Sequence, residues 1–319
     1  MTPGTSAGAL RSRAVNARQP AFLEARAGGL RIVHRADVDP ALVVQGIARH
    51  RENAAQQLQR CEAYGPGSSV SRVMLGGRSR ELDLAVKWNH WRGWRGMLSD
   101  LFNGSRATRA RLGAERLRAV GIPHPETLAL AERRRLGLVT ESFILTRFLR
   151  GAEPLPAVLP EIRRSPPQRR RLAYAVGEVV GMLHAAGLDH SDLKHSNLLV
   201  TAKRRIVLLD LDSLARPRRP TWRRRVRALG QLEAFASDLY PWLPRTDRAR
   251  FLRAYFRHQP ELRDRRRELV RAVTPWVERR LERWARQIPR RHIQYPLAPR
   301  GDLSSGEEAA GPLERVKPA

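Results

Sequence analysis

The chain has 319 residues, 42% of them hydrophobic, and carries 60 Lys and Arg against 31 Asp and Glu for a formal charge of +29. That apolar content can bury a sizeable core in one large domain or two lobes, which argues against disorder throughout. The lone cysteine, Cys61, excludes a disulfide framework or a cysteine zinc site within one chain and suits a reducing cytosolic setting, while the positive excess fits either polyanionic partners or a solvated basic surface.

Residues 1–27 read as a flexible basic arm, because "MTPGTSAGALRSRAVNARQP" lacks the continuous apolar centre of a secretory signal. No apolar run reaches the roughly 18 to 20 residues of a membrane span. Asp39-Pro40 is a helix start, a capping carboxylate followed by proline, and "ALVVQGIARHRENAAQQLQR" continues it. A strand ending near Tyr64 leads into the small-residue loop "YGPGSSV". "SSVSRVML" and "ELDLAVKW" flank the turn "GGRS" and predict an antiparallel hairpin. "SRATRARLGAERLRAVG" predicts a helix stopped by Gly121, and "TLALAE" and "ESFILTRFL" predict two further strands.

The second half changes character. "SPPQRRRLAYAVGEVVGMLHAAG" has a serine and prolines to start a helix, an apolar stripe through Leu172, Val176, Val179, Val180 and Leu183, and Gly187 to stop it. "RTDRARFLRAYFRH" predicts another helix, capped by Thr246 or Asp247. The expected organisation is an N-terminal, sheet-rich lobe over 28–150 and a helical lobe over 151–297, with a cleft near "RFLRGAEPL" and a flexible tail over 298–319.

Between the two predicted helices lies "LDHSDLKHSNLLVTAKRRIVLLDLDSLAR", residues 188–216. "NLLV" and "RIVLLDL" read as two short strands joined by a basic turn, which brings Asp192, Asn197 and Asp210 to one rim. Asn197 and Asp210 offer oxygen ligands suited to a hard cation such as Mg2+. Asp192 is then free to orient or deprotonate a hydroxyl.

These residues resemble a known superfamily. "HSDLKHSN" fits the protein-kinase-like catalytic loop, "LLDLD" resembles the apolar strand that ends in a metal-binding aspartate, and "LAVKW" resembles the strand that carries a phosphate-binding lysine. Over residues 60 to 260, "GSRATRARLGAERLRAVGIPHPETLAL", "LLDLDSLAR", "RRRVRALGQLEAF" and "RTDRARFLRAYF" resemble the lipopolysaccharide kinase (Kdo/WaaP) family. The resemblance implies an α+β, bilobal protein-kinase-like fold, with an antiparallel-sheet N-lobe containing one main helix and a mostly helical C-lobe. It also implies an ATP-dependent kinase that phosphorylates a sugar hydroxyl of the lipopolysaccharide inner core or a related glycolipid.

By that resemblance Lys87 pairs with ATP phosphates, Asp192 handles the acceptor hydroxyl, Lys194 neutralises the transferred group, and Asn197 and Asp210 hold Mg2+. Gly65 and Gly67 cover the phosphates, although "GPGSSV" lacks a full glycine-rich loop. Glu115 is the only acidic residue in the helix that would supply a partner to Lys87; if it faces solvent, Lys87 needs another. Asp212 is open between metal, acceptor and capping roles, and His190 braces the loop. Ser191 stands where an arginine would receive an activation-loop phosphate.

Two alternatives remain at this level. Aminoglycoside-type phosphotransferases share the catalytic loop, but their cationic acceptors meet acidic pockets, whereas a +29 chain suits an anionic acceptor at the inner face of a membrane. A noncatalytic kinase-like polyanion binder would use "WRRRVR", "RHQPELRDRRRELVR" or the Trp-interleaved "KWNHWRGWRGML". Against it stand the lysine, the base and both metal ligands. Nucleic acid is not the favoured partner, and the expected location is cytoplasmic, with peripheral contact at the inner membrane.

Overall fold

Alternating apolar and polar residues build the first lobe as antiparallel sheet. In the computed structural model, residues 21–55, 63–65, 67–76, 81–90, 93–214 and 221–286 are described. Strands β1 (Phe22–Ala27) and β2 (Leu30–Arg35) form a hairpin around Gly28 and Gly29, both at positive φ (58° and 71°), where glycine is at no disadvantage. Residues 22–27 are therefore strand, not part of the expected arm. Helix α1 (Pro40–Ala55) follows, with the Asp39 carboxylate accepting from the Ala41 amide at 2.8 Å.

Strands β3 (Ala63–Gly65), β4 (Ser68–Gly76) and β5 (Glu81–Asn89) come next, with β4 and β5 pairing over their full lengths as the hairpin pattern predicts. Two helices, α2 (Gly93–Asn103) and α3 (Arg106–Ala119), precede β6 (Thr127–Arg135) and β7 (Leu138–Arg147). The seven strands lie in the order β1-β2-β6-β7-β5-β4-β3, all antiparallel. One face packs beneath α1, where Val43 and Ile47 meet Leu75, Leu84, Val86, Phe143 and Leu145.

Strand β8 (Ala152–Pro154) and helix α4 (Leu155–Glu161) enter the helical lobe, followed by α5 (Pro166–Ala185), β9 (Leu198–Thr201) and β10 (Ile206–Leu208), which form a small sheet with β8. Helices α6 (Trp222–Leu239), α7 (Arg245–Arg257) and α8 (Arg266–Ala285) complete the described chain. Gly177 and Gly181, one turn apart on α5, let α7 approach closely. A Cβ on Gly177 would lie 2.2 Å from the Phe251 carbonyl oxygen, and one on Gly181 would lie 2.9 Å from that of Tyr255.

The expected cap of α7 is corrected. The helix begins one residue before Thr246, after Pro244, and the buried Asp247 carboxylate instead accepts from Arg169 of α5 at 3.0 Å and Arg250 at 3.3 Å. Burial makes pairing with arginine the stronger demand on that carboxylate. Among the described residues, no helix is long and apolar enough to cross a membrane. Cys61, most of the basic arm and the 298–319 tail lie outside the described residues.

Candidate active site

The catalytic-type loop is shaped by its leucines. Helix α5 closes with Gly187 at φ 74°, its amide donating to the His184 carbonyl at 3.1 Å while the Leu188 amide reaches Leu183 at 3.0 Å, a Schellman end. Leu188, Leu193 and Leu198 then point into the core. Asp192 and Lys194 between them remain partly exposed.

Asp192 is held from three sides. The Asn197 side-chain amide donates to its backbone carbonyl at 2.8 Å and to Oδ2 at 3.3 Å, Lys194 Nζ lies 2.9 Å from Oδ2, and Gln231 Nε2 of α6 donates to Oδ1 at 3.0 Å. Burial pushes the Asp192 carboxyl up, but the hydrogen bond and charge of Lys194, with the bond from Gln231, hold it below the usual carboxylate range. The carboxylate is thus ionised and oriented. Because the Asn197 amide nitrogen is committed to Asp192, its Oδ1 is the atom left for a cation.

Asp210 sits just beyond β10 in the left-handed region, φ 58° and ψ 50°, a conformation that aspartate tolerates better than most side-chain-bearing residues. Its Oδ1 pairs with Lys87 Nζ from β5, and its Oδ2 accepts from Ser213 Oγ at 3.1 Å. Burial opposes its charge, yet Lys87 holds the carboxyl well below the usual range. Several bonds tie this segment to the loop: His190 Nε2 to the Leu209 carbonyl at 3.0 Å, the Leu209 amide to Asn197 at 2.9 Å, and the Ser191 amide to Ser213 at 3.0 Å. His190 braces the loop, as expected, and Ser191 takes part in the same stitching.

Asp212 pairs with two basic side chains. Its Oδ1 lies 3.2 Å from Lys87 Nζ, and its Oδ2 accepts from Arg106 Nε at 2.5 Å. Arg106 also donates through Nη1 to the Gly67 carbonyl at 3.1 Å. One guanidinium therefore joins the small-residue turn between β3 and β4 to the segment after β10. Gly65 ends β3 opposite Ser68, and Gly67 occupies the turn itself.

Glu115 is corrected. It pairs with Arg111 one turn earlier on α3, and among the described residues Lys87 is paired instead with Asp210 and Asp212. The rotation of α3 explains this. Gly113 faces the Asp210 segment so closely that a Cβ there would lie 2.5 Å from the Leu211 carbonyl oxygen, and Glu115 is turned away. The start of α3 is fixed by Ser105, which accepts from the Thr108 amide at 3.0 Å and donates to the buried Glu132 of β6 at 2.5 Å.

Sequence reasoning did not single out Arg106 or Gln231. Both reach the site across long stretches of chain, and the only local sign was the Ser105 cap that places Arg106 at the first turn of α3. Trp88, in the Trp-interleaved segment, stacks on Phe143 at 5.6 Å as a packing residue.

The model of the lipopolysaccharide kinase (Kdo/WaaP) family matches residues 91–255, more than half of the chain, and includes the loop, Asp210 and Asp212. The chain belongs to the lipopolysaccharide kinase (Kdo/WaaP) family. Lys87 precedes the matched stretch, and the fold carries it in. A solved structure described as "WaaP in complex with acyl carrier protein" is similar at 25% identity over 79% of this chain and 98% of that one, with a TM-score of 0.53. No curated protein sequence matches at a significant level. Family and likeness establish the protein-kinase-like fold and make the chain a phosphotransferase of lipopolysaccharide biosynthesis.

Proposed function

We propose that this chain transfers the γ-phosphate of ATP to a sugar hydroxyl of the lipopolysaccharide inner core or a related anionic glycolipid, using Mg2+ and working as a peripheral protein at the cytoplasmic face of the inner membrane. The observation that carries the reading is the meeting of Lys87 with Asp210, 123 residues apart, beside a loop in which Asp192 is ionised and fixed by Lys194, Asn197 and Gln231.

The residues fit a magnesium–phosphate site. Mg2+ is usually bound by one or two protein oxygens with phosphates and waters completing its shell, so Asn197 Oδ1 and Asp210 suffice, and no group of three His, Cys, Asp or Glu that could hold a metal occurs among the described residues. Bound Mg2+ neutralises charge on the phosphates and orients them. Lys87 takes the α- and β-phosphates, exchanging carboxylate partners for phosphate oxygens. Gly65 and Gly67 form the turn that covers them, and Arg106 holds that turn to Asp212.

Asp192 accepts the proton of the sugar hydroxyl as its oxygen bonds to the γ-phosphorus, the bond from phosphorus to the β–γ bridging oxygen breaks, and ADP leaves. Lys194, already at the carboxylate, balances the negative charge spread over the transferring group. The chemistry is positioning and electrostatics.

The deciding experiment is transfer of labelled γ-phosphate from Mg-ATP into purified deacylated lipopolysaccharide core, with aminoglycoside and generic protein acceptors in parallel. Incorporation into the core glycan, lost in Asp192→Asn and Asp210→Asn, supports the reading. Label in an aminoglycoside alone replaces it with the related phosphotransferase class, and ATP binding without transfer to any acceptor replaces it with a noncatalytic polyanion binder.

A further inference from the structure

Away from the cleft, α7, the turn after it and α8 enclose a groove of about 820 Å³. Its rim carries Arg253 and Arg257 of α7, Arg263 of the connecting turn, and Arg266, Arg267 and Arg271 of α8, with no carboxylate in the lining. All six are exposed. Arg257 is bonded to the Tyr174 hydroxyl, whereas the other five have no ion pair among the described residues. Elsewhere the fold regularly sets arginine against carboxylate, as where Asp247 of α7 meets Arg169 and Glu268 of α8 meets Arg265.

The floor is apolar. Leu252 and Phe256 rise from α7, and Val270 of α8 stands 43% exposed between the arginines. A merely solvated basic face needs no such floor. Guanidinium groups recognise phosphate through paired N–H donors, and an apolar strip beneath them suits hydrocarbon next to the phosphate. Nucleic acid fits less well, because the lining lacks tyrosine, tryptophan and histidine and its one aromatic, Phe256, is only 9% exposed, leaving no platform for bases.

From this geometry we infer that the α7–α8 groove is a docking site for anionic phospholipid: the arginines take the phosphodiester headgroup, and Leu252 and Val270 take the adjoining start of the acyl chains. The groove deepens the proposed membrane location by naming the surface that makes the contact. It is not part of the catalytic machinery, and α8 lies beyond the family-matched residues 91–255. Interfacial binding of this kind needs no spanning helix.

The test is co-sedimentation of the full-length chain with phosphatidylethanolamine vesicles, with and without about a quarter phosphatidylglycerol. Three proteins are compared: wild type, the triple variant Arg253→Gln/Arg267→Gln/Arg271→Gln, and a control triple of equal charge change, Arg164→Gln/Arg170→Gln/Arg171→Gln, on exposed arginines elsewhere. With about a fivefold loss of partitioning per arginine removed, the groove triple is expected to bind anionic vesicles on the order of a hundredfold more weakly. The control triple is expected to stay near wild type, and Val270→Ser, an exposed change that spares folding, is expected to weaken binding about threefold through the lost apolar contact.

Equal losses in both triples, or none in either, overturn the assignment. So does capture of purified acyl carrier protein through the groove without vesicle binding, which would make the surface a protein-docking site. The vesicle measurement contains neither ATP nor glycan, so it can fail while phosphoryl transfer succeeds, and the reverse.

Discussion

Gln231 of α6 donates its side-chain amide to Asp192 Oδ1 at 3.0 Å, across 39 residues of chain, and is itself buried. With Lys194 on the other oxygen, this bond leaves the carboxylate no freedom to rotate and lowers its proton affinity. Replacing Gln231 by Leu removes one donor to the charged form, so the Asp192 carboxyl should rise toward its ordinary value, still held down by Lys194. The acid limb of kcat/KM should then move to higher pH, with Gln231→Asn restoring it only in part. An unmoved acid limb would show Gln231 to be packing alone.

On the proposed reading, Asp192→Asn removes the proton acceptor while keeping its shape, and sets its amide nitrogen against one of the donors that Asp192 now accepts. A loss of about 10² to 10⁴ in kcat is expected, with little change in ATP binding measured by titration.

Arg106 is the joint between the Gly67 turn and Asp212. Arg106→Gln should raise KM for ATP by about tenfold, the size expected for a lost charged hydrogen bond, while leaving thermal stability near wild type. Steady-state kinetics and a melting curve check both halves.

Gly113→Ala should do the opposite of a helix-propensity gain. Its Cβ would meet the Leu211 carbonyl at 2.5 Å, and neither backbone can yield without moving the Asp210 segment. A loss of about 1 to 3 kcal/mol in unfolding free energy is expected, with a larger fall in activity than stability alone accounts for.

His184 is buried on α5 with Nδ1 3.0 Å from the Tyr255 hydroxyl, and burial, aided by Arg225, pulls its pKa down to about 3. The unfolded chain takes up the proton near pH 6.5 and the folded chain does not until near pH 3, so stability is full above the unfolded value and falls as pH drops between the two. At pH 5 this histidine alone should cost about 2 kcal/mol. Denaturant midpoints at pH 7.5 and pH 5 for wild type and His184→Gln would reveal a smaller drop in the variant.

Much of this architecture was readable because its signals are local. The β4–β5 hairpin, α3 with its serine cap, α5 with its terminal glycine, and the loop from His190 to Asn197 all announce themselves within a few residues. Strand β1 did not, because "FLEARA" is an edge strand that mixes charges with apolar residues. The Gly28–Gly29 turn beside it was the usable clue. Glu115 failed for a different reason: the direction of a side chain on a helix depends on how the helix is rotated, and that is set by the contact of Gly113 with Leu211. Arg106 and Gln231 take their meaning from partners 106 and 39 residues away, which no local pattern encodes.

The ion pairs of Lys87 with Asp210 and Asp212 bear on the order in which ligands can enter. Lys87 is paired with two carboxylates, so on the proposed reading a bare triphosphate would face two negative charges with their lysine occupied. A triphosphate that brings its own divalent cation offers Asp210 a replacement counterion and frees Lys87 in the same exchange. On the proposed reading, those pairs would make the cleft favour the metal complex of the nucleotide over its metal-free form.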